Sequence, residues 1–104
     1  MLEISTDKIV RVIFLAREHG PDSDHMSDYI SGLNADEKSS LVALLWVGRE
    51  TYGPDDFDAA KSAAELEATA PTERYLSGIP GLPEHLENGL ELLGINVADA
   101  EDHM

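Results

Sequence analysis

Apolar residues recur along this chain at helical spacing, and nowhere in strict alternation. Between Thr6 and His19, the residues Ile9, Val10, Val12, Ile13, Phe14, Leu15 and Ala16 cover more than half a helical circumference at about 100° per residue. Lys8, Arg11 and Glu18 are left as the polar face. The β-branched cluster would also suit a strand, but alternation is absent and the flanks carry helix signals. Ser5 or Thr6 can cap the N-terminus, Asp7 places negative charge in the first turn, and Gly20-Pro21 stops the helix. A helix this apolar is either central to the fold or shared with another subunit.

Ser23 or Asp24 then caps a short helix carrying Met26, Tyr29, Ile30 and Leu33 at spacings of three and four, with Gly32 near its end. Asn34-Ala35-Asp36-Glu37 has the form of a capping box, with Asn34 as acceptor and Glu37 reaching back. It precedes seven uninterrupted apolar residues, Leu41 to Val47, and then Gly48 and Arg49. The spacing predicts a third helix that continues to Arg49 or Thr51, before the breaker pair Gly53-Pro54. Because it is apolar on nearly every side, other elements must enclose it, which makes it the expected centre of the architecture.

Pro54 suits a first helical position, and Asp55, Asp56 and Asp58 suit the positive end of a helix dipole. This predicts a fourth helix to about Thr69 with the stripe Phe57, Ala60, Ala64 and Ala68, ended by Pro71. Thr72 to Gly78 reads as one or two helical turns. Ile79-Pro80-Gly81-Leu82-Pro83 reads as an apolar connector whose prolines fix its direction. A last helix runs from near Pro83 to Gly94, with Leu86, Leu90 and Leu93 on one face. Residues Val97 to Met104 read as a frayed acidic tail. The expected fold is all-α: a single domain over residues 1–96, built as a compact bundle of four main helices plus one or two short helical turns. No internal repeat or coiled-coil heptad argues for another class.

Composition narrows the function. The 104 residues hold 21 acidic and 7 basic side chains, a formal charge of −14. Lys8, Arg11, Arg17, Lys38, Arg49, Lys61 and Arg74 are scattered, so no stripe tracks a phosphate backbone, and direct nucleic-acid binding is not expected. A basic protein partner fits the charge better. Cysteine is absent, which removes disulfides, thiolate nucleophiles and Cys-ligated metals. Ile9 to Ala16 is interrupted by Arg11 and far shorter than the ~20 residues of a membrane span. With no leader pattern at the N-terminus, the expectation is a cytoplasmic protein without a membrane role.

Candidate chemistry is sparse. His19, Asp22, Asp24, His25 and Asp28 form the densest set of metal-ligand types, but the spacing is not diagnostic. An EF-hand register starting at Asp22 puts Met26, Ser27 and Leu33 where an oxygen ligand, Gly and Glu belong. Solvated linker residues are the simpler explanation for His19, Asp22, Asp24 and His25. No phosphate loop, nucleophile elbow or H-E-x-x-H pair is present, and no cofactor is called for. His85 with Glu84 or Glu87 is an acid-base pair only in principle. Arg17 and Arg49 each fall toward the end of a very apolar helix. The plain expectation is an Arg-carboxylate pair at the core edge. The alternative is recognition, with Arg49 offered to a carboxylate or phosphate beside Trp46 and Tyr52.

The capping box, the segment Ala43-Leu44-Leu45-Trp46-Val47-Gly48-Arg49, then Phe57, Tyr75-Leu76-Ser77-Gly78-Ile79-Pro80 and Leu86-Glu87-Asn88-Gly89-Leu90 resemble a bacterial family of short acidic proteins, domain of unknown function 3775. The resemblance spans about residues 6–95. In that family Gly commonly follows the position of Arg49; here Glu50 does, which leaves the helix end open. The resemblance implies a one-domain helical protein of bacterial origin and supplies no activity. From the residues, the leading expectation is a protein-interaction module that self-associates, because two very apolar helices have little material to cover them. The alternative is an acidic regulator occupying a basic protein surface; a small enzyme or metal-binding protein ranks below both.

Overall fold

A computed structural model of the chain describes residues 2–20, 22–67 and 71–95. Six α-helices lie in these residues: α1 (Thr6–His19), α2 (Asp24–Ser31), α3 (Ala35–Gly48), α4 (Phe57–Leu66), α5 (Thr72–Ser77) and α6 (Leu82–Leu92). A 3-10 turn, Pro54–Asp56, leads into α4, and no strand occurs among the described residues. The fold is all-helical, as the periodicity predicts, but two elements differ from the expected four helices plus turns. Asp56 takes φ −102° and ψ 18°, which breaks the predicted fourth helix into the 3-10 turn and α4. Thr72–Ser77, six residues long, is the short helical segment expected there but counts as a helix of its own, with Leu76 completely buried. α4 ends at Leu66, earlier than the expected Thr69, because Glu67 leaves helical geometry at φ −96° and ψ 9°; the stripe residue Ala68 and the acidic tail at 97–104 lie outside the described residues.

Local side chains set the helix starts. The Ser5 hydroxyl accepts from the Lys8 N–H at 3.2 Å, and the Ser23 hydroxyl accepts from the Met26 N–H at 3.2 Å. At α3 the capping box is complete: the Asn34 amide oxygen accepts from the Glu37 N–H at 2.8 Å, and Glu37 accepts from the Asn34 N–H at 3.0 Å. Each cap satisfies backbone donors that helix geometry leaves without partners.

The core is organised around α3, in which Leu41, Ala43, Leu44, Leu45 and Val47 are fully buried. It packs most extensively on α6 and α4, while α1 lies against α6 and α2, and α2 against α5. The α3–α6 crossing depends on two glycines. A Cβ added at Gly48 would sit 1.7 Å from the His85 carbonyl oxygen, and one added at Gly89 would sit 2.6 Å from the Leu44 carbonyl oxygen. The two backbones therefore touch, and the helices run antiparallel, with Gly48 against His85 and Gly89 while Leu44 meets Gly89. The Asn88 amide donates to the Gly48 carbonyl at 2.7 Å, filling an acceptor exposed at the end of α3.

The N-terminal residues strap the other end of α3. Ile4 is buried, and the Glu3 N–H donates to the hydroxyl of Ser40, itself fully buried, at 3.0 Å. Lys8 pairs with Glu37, which depresses the Glu37 carboxyl below its ordinary value; the Lys8 contact comes first as cause, and the Asn34 N–H adds to it. Lys61 on α4 meets Glu65 at 2.7 Å and Glu3 and Asp36 at 3.5 Å, and these carboxylates, Glu65 foremost, raise its affinity for its proton.

The apolar excess of α1 is used mainly inside the chain. Ile9, Val10, Val12, Ile13, Leu15 and Ala16 are all buried, and only Phe14, 44% exposed, faces outward. Val10 and Leu15, two positions that a subunit contact would use, are thus already covered.

Candidate functional site

The end of α3 gathers the recognition candidates. Arg49 is its C-cap, and the chain turns at Glu50, whose φ of 63° is the left-handed conformation. The Glu50 N–H donates to the Val47 carbonyl at 2.9 Å and the Thr51 N–H to the Trp46 carbonyl at 3.0 Å. This is the Schellman pattern, in which the left-handed position normally belongs to glycine. Glu50 thus occupies a position where the backbone favours Gly.

The turn folds Tyr52 back on Trp46, so that their rings lie 5.8 Å apart with planes 19° from parallel. From α5 comes Tyr75, whose hydroxyl accepts from the Trp46 indole N–H at 3.0 Å. Trp46 and Tyr52 are half-buried, and Tyr75 is 37% exposed. These three side chains form a fixed aromatic shelf. Its hydrogen bond satisfies the indole N–H, so the shelf offers ring surface more than polar atoms. No spacing rule in the sequence links Tyr75 on α5 to Trp46 on α3; its one signal there is its place in the family-like segment Tyr75-Leu76-Ser77-Gly78-Ile79-Pro80.

The charges in the segment that carries Tyr52 are mostly negative. Residues 49–58 hold one basic residue, Arg49, and four acidic ones, Glu50, Asp55, Asp56 and Asp58, all exposed. Arg49 has no ion-pair partner among the described residues, contrary to the plain expectation for it. Arg17 meets that expectation: both terminal nitrogens of its guanidinium donate to Glu87 across the α1–α6 interface. The two arginines therefore differ: Arg17 closes the α1–α6 packing, and Arg49 stands exposed at the C-cap of α3.

The remaining candidates separate. His19 and His25 stack ring on ring at 4.1 Å between the end of α1 and the start of α2. Asp22 and Asp24 instead line an open cleft of about 300 Å³ with Ser27, Pro71, Glu73, Arg74 and Ser77. Among the described residues no group of three or more His, Asp or Glu side chains is placed to hold a metal ion. Of the acid-base pair, Glu87 is engaged by Arg17, and the His85 backbone supports the Gly48 contact. No described helix is long and apolar enough to cross a membrane.

The segments that carry the family resemblance meet in space: the capping box starts α3, Gly48 and Gly89 make the helix crossing, and Trp46 and Tyr75 share a hydrogen bond. No curated protein and no solved structure matches the chain. Residues 23–95, from the cap of α2 to just beyond α6, match a family model, and the chain belongs to that family, described as proteins of unknown function (DUF3775).

Proposed function

We propose that the protein is an acidic protein-interaction module that occupies the basic surface of another protein. The observation that carries this reading is how the chain spends its cations. Acidic side chains outnumber basic ones 21 to 7, and three of the seven cations, Lys8, Arg17 and Lys61, are already tied to carboxylates of the same chain. Such a surface raises the encounter rate with basic partners and repels like-charged ones, a second copy included.

The test is calorimetric titration of the protein with a short arginine-containing peptide at low and high salt. The expected result is measurable binding that weakens as salt rises, because screening shortens the reach of exposed charges. No binding, or an affinity insensitive to salt, counts against the reading.

Self-association is the second reading, and Phe14 on α1 is the observation that favours it, with Leu92 on α6 also 40% exposed. Sedimentation over a concentration series decides: a monomer throughout removes it, and a dimer lost on Phe14→Ser supports it.

A further inference from the structure

We infer that the aromatic shelf of Trp46, Tyr52 and Tyr75 is where a basic partner docks an arginine side chain. The inference rests on the proposed function and adds its location and chemistry. A guanidinium is attracted to the negative face of an aromatic ring, most strongly to Trp, and keeps its planar N–H fork free for carboxylates at the ring edge. At this end of α3 the rings stand in a segment rich in exposed carboxylates. The rings are held in place by the Trp46–Tyr75 hydrogen bond and the Trp46–Tyr52 stack, and none of the three is closed over. Glu50 precedes Tyr52 by two residues, and Asp55 and Asp56 follow it by three and four, all exposed.

Arg49 sets the choice of polarity. With Arg74 beside Tyr75 it makes two cations against five carboxylates, Glu50, Asp55, Asp56, Asp58 and Glu73, in the two segments that carry the rings, so the balance still favours a cationic guest over a carboxylate or phosphate. If Arg49 instead gripped an anion, its removal would weaken binding; for a cationic guest it is a repulsive neighbour and its removal tightens binding.

The experiment uses the full chain and three synthetic peptides of equal length, Arg-Gly, Lys-Gly and Glu-Gly repeats, read by calorimetry and by the fluorescence of Trp46, the only tryptophan. Expected is a saturable fluorescence change with the Arg peptide and weaker binding of the Lys peptide. Tyr52→Ala should weaken the Arg peptide about two- to five-fold, the scale of an exposed cation–ring contact, whereas Tyr52→Phe keeps the ring and the affinity. Glu50→Gln combined with Asp55→Asn and Asp56→Asn leaves the rings untouched and serves as the second variant if Tyr52→Ala fails to fold; it too should weaken binding. Arg49→Gln should tighten it.

Arg-peptide binding by calorimetry with no change in Trp46 fluorescence and no effect of these variants overturns the shelf as the site while leaving the proposed function standing. Absence of binding by both basic peptides overturns the proposed function itself. Preference for the Glu peptide, weakened by Arg49→Gln, overturns the inference in favour of an anion grip.

Discussion

Glu50 holds a left-handed backbone, φ 63°, in the turn that closes α3. For an L-residue with a Cβ this conformation costs about 1–2 kcal/mol, part of which is offset by the entropy a glycine adds to the unfolded chain. Glu50→Gly should therefore stabilise the fold by roughly 0.5–1 kcal/mol, visible as a rise of a few degrees in the thermal midpoint. An unchanged or lower midpoint would show that the Glu50 side chain gives back what its backbone costs. The helix-crossing glycines predict the opposite sign. An exposed Gly→Ala change inside a helix usually stabilises by up to about 1 kcal/mol, but at Gly48 and Gly89 the added methyl meets backbone, which cannot swing aside. Gly48→Ala and Gly89→Ala should each destabilise by roughly 3 kcal/mol or more, since α3 and α6 must separate. Gly32→Ala, where the new Cβ finds the Tyr29 carbonyl oxygen at an ordinary 3.6 Å, is the control and should be neutral or mildly stabilising. Urea denaturation of the three variants separates backbone contact from helix propensity.

At the scale of elements, α3 is fastened differently at its two ends, and the N-terminal fastening responds to pH. Glu37 closes the capping box and pairs with Lys8, so its folded-state carboxyl titrates below the ordinary value of 4.5. The unfolded chain then binds this proton more readily, and the stability Glu37 contributes is complete above about pH 4.5 and is lost as pH falls through the depressed folded value. Lys8 is raised above 10.5, chiefly by the same contact, so its contribution is lost as pH rises through that higher value. Glu37→Gln should flatten both limbs of the stability-pH profile relative to the unmodified protein, and denaturant midpoints across the range would measure it; parallel profiles would disconnect the pair from folding. Much of this element was legible in advance, because caps and breakers act over four residues: the capping box, the limits of α1 and the apolar run of α3, buried at every position from Leu41 to Val47 except Trp46, all follow from local pattern. What the pattern did not contain is long-range. Ser40 receiving the Glu3 N–H, Asn88 reaching the Gly48 carbonyl, and Tyr75 meeting Trp46 join residues 29 to 40 positions apart, and no periodicity encodes which helices become neighbours. The same gap explains the expectation of an apolar excess: amphipathicity measures how much surface α1 must bury, while α2 and α6, which cover it, lie elsewhere in the chain.

For the whole molecule, acidic side chains outnumber basic ones three to one, and the described residues form a body of 32 × 30 × 23 Å. At about 0.01 M ionic strength the screening length is roughly 30 Å, comparable to the molecule, so each surplus carboxylate feels the others across the fold. At about 0.5 M the screening length falls to a few ångströms and only near neighbours interact. The close pairs, such as Lys61 with Glu65 at 2.7 Å, lie inside that distance and lose less than the long-range repulsion does. Net repulsion at a charge of −14 opposes the compact state more than the unfolded one, where the same charges are farther apart. Added sodium chloride should therefore raise the thermal midpoint. The same screening removes the attraction that brings a basic partner to the surface, so salt should strengthen the fold and weaken the complex together. Thermal melts and calorimetric titrations in matched buffers test both signs. A midpoint that falls with salt would mean that the ion pairs outweigh the repulsion, and the surplus charge would then be no reserve of free energy for binding a basic surface.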